Sequence, residues 1–63
     1  MTITLAQMKE IIALFDKIGI PYDYFSTYNI YEEIIGHILE IGEFQLDTDE
    51  IDDEDRKYNQ GGK

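Results

Sequence analysis

Apolar side chains recur through the first eighteen residues at spacings of three and four: Leu5, Met8, Ile12 and Phe15, with Ile11 and Ile18 widening the stripe. This is the period of an amphipathic helix, and Lys9, Glu10, Ala13, Asp16 and Lys17 fall largely on its other side. Thr4 followed by Gln7 makes a capping box, in which each side chain serves the other residue's backbone amide. Gly19 suits the left-handed position after a helix, Ile20 supplies the contact beyond it, and Pro21 cannot continue the turn. The pattern predicts a helix over about residues 5–18.

A second stripe, Ile30, Ile34, Ile38 and Ile41, is flanked by Tyr31, Ile35 and Leu39. Asn29, Glu33, Gly36, Glu40 and Glu43 lie opposite it. Asn29 is a good N-cap, Glu32 and Glu33 favour the positive end of a helix dipole, and Gly42 is a natural terminator. A second helix over about 29–41 is expected, so the fold class reads as mainly α: an antiparallel helical hairpin. Two features weaken that reading. Gly36 costs up to about 1 kcal/mol relative to Ala inside a helix, and β-branched isoleucines are poor helix formers. Tyr22 and Tyr24 alternate with Asp23, which suits a short strand or an extended connection. Phe44-Gln45-Leu46 reads as an edge strand or a return packing on the first helix. Strands near 22–25 and 43–46 would make the fold a small α+β instead.

Composition then divides the chain. Residues 1–46 hold all but two of the hydrophobic side chains and a net charge of -5; residues 47–63 hold Ile51, Tyr58 and a charge of -4, for -9 in total. A small helical domain over 1–46 and an acidic tail over 47–63, disordered or folding on binding, is the expected organisation. In the tail, Arg56 and Lys57 follow the acids, a polarity that favours a helix, and Ile51 and Tyr58 would share one face of it. A strong negative charge excludes nucleic-acid binding through a basic face and disfavours anionic membranes. The longest apolar run, Ile11–Phe15, is far short of a membrane span, and Met1-Thr2-Ile3-Thr4 lacks the basic start of a signal peptide. A cytoplasmic protein is expected.

Candidate chemistry is sparse. On a helix Glu33, His37 and Glu40 would project together, a weak ligand set for a metal. Asp47-Thr48-Asp49 opens like a calcium loop, but Asp52 stands where that loop needs Gly. Without cysteine, a second histidine or a nucleophile motif, neither catalysis, nor a metal, nor a cofactor is expected.

The aromatic run Tyr22, Tyr24, Phe25, Tyr28 and Tyr31 reads either as closure of the core or as a recognition surface. Its neighbours are acids, so a protein is the expected occupant. The charges assigned to partner binding are Glu32, Glu33, Glu40, Glu43, Asp47, Asp49, Glu50, Asp52, Asp53, Glu54 and Asp55, with Ile51 and Tyr58 as apolar anchors. Extended, the acids of 47–55 would be spaced by about 4 Å, close to the phosphate spacing of a nucleic-acid strand, about 3.4 Å. The chain would then mimic nucleic acid on the basic surface of a protein partner. Alternatively the tail only solubilises, and a homodimer binds a partner helix through an apolar groove. Self-association is expected because two helices cannot bury so many isoleucines. The profile as a whole, tiny and acidic with one apolar domain, is similar in kind to inhibitor proteins of phages and mobile elements.

Overall fold

The first helix forms where the periodicity places it. In the computed structural model, which describes residues 1–61, α1 spans Leu5–Ile18. Thr4 Oγ1 accepts from the Gln7 amide at 3.1 Å, and Gln7 Oε1 accepts from the Thr4 amide at 3.0 Å. Gly19 takes φ 79°, and its amide donates to Phe15 O at 2.8 Å.

The second helix does not form, and the mainly-α hairpin is corrected to a small α+β fold. Residues 29–41 instead make a turn and a strand. The full order is α1, β1 (Asp23–Tyr28), β2 (Ile34–Ile41), β3 (Phe44–Thr48) and α2 (Asp53–Gly61). Isoleucine supplies the reason: its branched Cβ packs well on a pleated sheet and loses freedom in a helix. The capping chemistry of Asn29 is used, but on a turn. Its Oδ1 accepts from the amides of Tyr31 at 2.9 Å and Glu33 at 3.0 Å, and Glu32 is held at φ 62°. Gly42, expected to end a helix, opens the two-residue Gly42-Glu43 turn at φ 59° between β2 and β3.

The sheet has the order β1-β2-β3, all antiparallel. Ser26, His37 and Thr48 lie across from one another, as do Tyr24, Leu39 and Leu46. Residues 1–3 run parallel to the outer edge of β3, with the Ile3 amide on Asp47 O at 2.8 Å and the Asp47 amide on Met1 O at 2.9 Å. β3 thus crosses the boundary expected at residue 46.

Alternation along a strand sends neighbours to opposite faces, and the two helices cover one of them. On that side Leu39 and Met8 are fully buried, and Leu5 and Ile34 complete the core. A bulge between the Thr27–Gly36 and Tyr28–Ile34 pairs leaves Ile35 unpaired and shifts the parity. Ile34 therefore reaches the helix side, where the Asn59 side chain of α2 brackets its backbone: Oδ1 accepts from the Ile34 amide at 2.7 Å, and Nδ2 donates to Ile34 O at 3.2 Å. Gly36 sits where a Cβ would come within 2.3 Å of Thr48 O. Among the described residues, no helix is long and apolar enough to cross a membrane.

Candidate interaction surface

The helix side of the sheet holds a buried polar chain. His37 Nε2 lies 2.7 Å from Asp55 Oδ2, and its Nδ1 lies 3.2 Å from Ser26 Oγ. A neutral ring with its proton on Nε2 donates to Asp55 and accepts from Ser26; a protonated ring donates to both. Tyr24 stacks on the imidazole at 5.4 Å and 15°, and burial, then Asp55, pushes its hydroxyl pKa up. The connectivity resembles a serine–histidine–aspartate relay. Here, however, the ring is 4% exposed, closed in by Tyr24 and α2, and its effect is to pin α2 to β2.

The acidic stretch works inside the molecule at several points. Glu50 Oε1 accepts from the Leu5 amide at 2.8 Å, satisfying a backbone donor in the first turn of α1. Asp52 and Asp55 cap α2 reciprocally: the Asp55 amide donates to Asp52 Oδ1 at 3.0 Å, and the Asp52 amide to Asp55 Oδ2 at 3.1 Å. Asp52 also meets Lys9 Nζ at 2.6 Å. The hydrogen bond from Lys9, followed by that from the Asp55 amide, holds the Asp52 carboxyl down at about 2. The same contact to Asp52 raises the Lys9 ammonium pKa. Asp53 pairs with Arg56 at 2.9 Å in solvent, and Asp49 and Glu54 are exposed.

The aromatic run is dispersed rather than gathered: Tyr22, Tyr24 and Tyr28 lie on the helix side at separate points, Phe25 on the opposite face and Tyr31 on the turn. Tyr22 donates to Asp16 at 2.7 Å and tilts against Phe15 on α1; that hydrogen bond raises its pKa. Tyr24 lies on His37, and Tyr28 meets Tyr58 of α2 edge-on at 6.1 Å. Tyr31 and its neighbour Ile30 stand 75% and 88% exposed on the β1–β2 turn. Ile51 is half-buried, while Glu32 and Glu43 are exposed on the two turns. Glu33, His37 and Glu40 do not converge: an odd separation along β2 places His37 and Glu40 on opposite faces.

The other face of the sheet has no helix over it. Its centre is Phe25 beside Ile38, with Thr27 and the bulged Ile35 adjoining. Phe25 and Ile35 are 43% and 48% exposed. Asp23 and Glu40 oppose each other directly at one end, and like charges so placed repel. Asp47 lies across from Ile38 on the other flank, and its Oδ1 is buried without a hydrogen-bond donor. A shallow groove of about 300 Å³ opens there; Thr2, Thr27, Ile35, Ile38, Asp47 and Asp49 are among its lining residues. The ion pairs formed among the described residues are Lys9–Asp52, His37–Asp55 and Arg56–Asp53, so none of them neutralises this face.

The helical period puts Ile35 and Ile38 in one helix stripe and gives Ser26 and Thr27 no role. The alternation of Phe25 and Thr27 with Ser26, and the Gly-Glu pair between Ile41 and Phe44, were the available strand and hairpin signals. No known protein family, curated protein or solved structure matches the chain.

Proposed function

We propose that the protein is a non-enzymatic interaction module that binds a basic, amphipathic segment of a protein partner across the open face of its sheet, in the cytoplasm. One observation carries the reading: an apolar strip of exposed Phe25 and Ile35 with half-buried Ile38 is flanked by Asp23, Glu40, Asp47 and Asp49, none of which takes part in the ion pairs Lys9–Asp52, His37–Asp55 and Arg56–Asp53 of the described residues. Uncovered apolar area rimmed by polar groups is the usual form of a docking site. Mimicry of a phosphate backbone by residues 47–55 is less well supported, because Glu50, Asp52 and Asp55 are engaged within the chain.

The test compares two variants in partner capture from the native host at low salt. Phe25→Ser with Ile38→Ser should weaken binding at least about tenfold, a loss of about 1.4 kcal/mol. Asp53→Asn with Glu54→Gln should leave binding nearly intact. The opposite ranking would restore the tail as the binding element and overturn this reading.

A second reading, self-association, is favoured by the outer edge of β1. Residues 1–3 occupy the edge of β3, whereas β1 makes no backbone pairing on its outer side among the described residues. An open edge is a template for pairing with a second copy. Sedimentation over the micromolar range decides this: a doubled mass supports pairing, and 7.4 kDa throughout removes it.

A further inference from the structure

We infer that the groove on the Asp47 flank of the open face receives a single lysine side chain presented by the partner segment; the inference rests on the reading above and gives it chemical selectivity. A groove of about 300 Å³ lies at the bottom of the range that holds drug-sized molecules, so it suits one side chain. Ile35, Ile38 and Thr27 offer walls for a methylene stem, and Asp47 and Asp49 supply two carboxylates.

Asp47 is the informative residue. Its backbone is fully used, with the amide on Met1 O and the carbonyl on the Ile3 amide, while Ile38 lies across from it in the sheet. Its side chain is not, since Oδ1 is buried without a donor. A carboxylate with one oxygen shielded from water and left unpaired is destabilising; a cation held against its other oxygen would offset that charge. Neutral donors would leave the second charge, on Asp49, uncompensated, and acids would be repelled.

Lysine fits better than arginine for a geometric reason. A guanidinium fork binds best when both oxygens of one carboxylate are reachable in its plane, and at Asp47 one of them is occluded. An ammonium is a compact charge with three donors, which can be divided among Asp47, Asp49 and the hydroxyl of Thr2 or Thr27. The source is a protein rather than a free amine because the groove is continuous with the strip of Phe25 and Ile38, which calls for apolar residues beside the lysine.

The experiment titrates the full chain, labelled with nitrogen-15, with a capped peptide of alternating valine and threonine around one central lysine. Identical peptides carrying norleucine or arginine there, and n-butylammonium alone, are titrated in parallel. The lysine peptide should shift the amides of Thr27, Ile35 and Asp47 and bind at least tenfold tighter than the norleucine peptide and severalfold tighter than the arginine peptide. Asp47→Asn keeps the backbone pairing and should abolish that preference; the peptide series on the native chain stands by itself if the variant does not fold. Equal binding of lysine and norleucine peptides, with Phe25 and Ile38 still shifting, would overturn the lysine site and leave the docking face. Binding of n-butylammonium as tight as the peptide would overturn the partner-presented source. Absence of any shift on the open face at millimolar peptide would overturn both.

Discussion

The two faces of this sheet are built from the same three strands and do opposite things. On the helix side, Leu39 and the polar chain from Ser26 through His37 to Asp55 are closed over by α1 and α2. On the other, Phe25, Ile35 and Ile38 meet no helix, and the acids around them are unpaired among the described ion pairs. Position along a strand therefore matters more than residue type. Ile38 and Leu39 are adjacent and equally apolar, yet Leu39 is fully buried under the helices and Ile38 is only half-buried on the open face. The buried His37 and Asp55 are paired with each other, whereas Asp47, with one oxygen buried and unpaired, lies beside the open apolar strip.

This contrast can be broken most sharply at that adjacent pair. Leu39→Ala should destabilise by about 2–5 kcal/mol, comparable to the whole stability expected of so small a core, about 3–5 kcal/mol. Ile38→Ala should cost distinctly less; urea titrations followed by circular dichroism measure both, and equal losses would dissolve the distinction between faces. Asp55→Ala should cost about 3 kcal/mol, because it leaves His37 buried without its partner. Asp53→Ala, which breaks the solvent pair with Arg56, should stay within about 0.5 kcal/mol. Amide hydrogen exchange in α2 separates the two variants.

Gly36→Ala comes next, at about 1–3 kcal/mol for overpacking, since its new methyl would meet backbone rather than a movable side chain. A thermal midpoint equal to that of the native chain would show that the Thr48–Asp49 segment yields. The smallest effect is the pH dependence from Lys9–Asp52. The Asp52 carboxyl is lowered from 3.8 to about 2, so its contribution is complete above about pH 4 and lost as pH falls toward 2 and below. The Lys9 ammonium is raised from 10.5, so the contribution of the pair fades again only above that value. Lys9→Met should flatten the acid limb of the stability profile; an unchanged limb would assign acid sensitivity elsewhere.

How much of this was legible follows from the range of each signal. α1 was readable to its last residue because its period, the Thr4–Gln7 box and the Gly19–Pro21 stop are all local. β2 was not, because Ile30, Ile34, Ile38 and Ile41 match a helical stripe while the same stretch is rich in strand formers. What decides between them is the pairing with β1 and β3, which no window of a dozen residues contains. Gly36 is a misfit in a helix for a reason that lies outside the helix: a Cβ there would meet Thr48 O. The duties of the acidic stretch were hidden by distance, since Glu50 serves Leu5 and Asp52 serves Lys9 across more than forty residues. The open face is illegible for the same reason as β2: with a helical period, Ile38 and Ile35 read as part of one helix stripe rather than as the surface of a sheet.

The contact between Glu50 and Leu5 carries a consequence for the birth of the molecule. Forty-five residues separate the two, and at about 5–20 residues per second a ribosome takes several seconds to make the second after the first. During that interval α1 has its own caps but lacks the acid that receives its first amide, the anion that receives Lys9 and the strand that its core residues pack against. A helix of 14 residues is marginal in water without such packing, so the newborn chain has the signals of α1 long before it has the contacts that hold it. It becomes a protein only as its acidic end emerges, which makes the stretch that looks most dispensable the one that completes it.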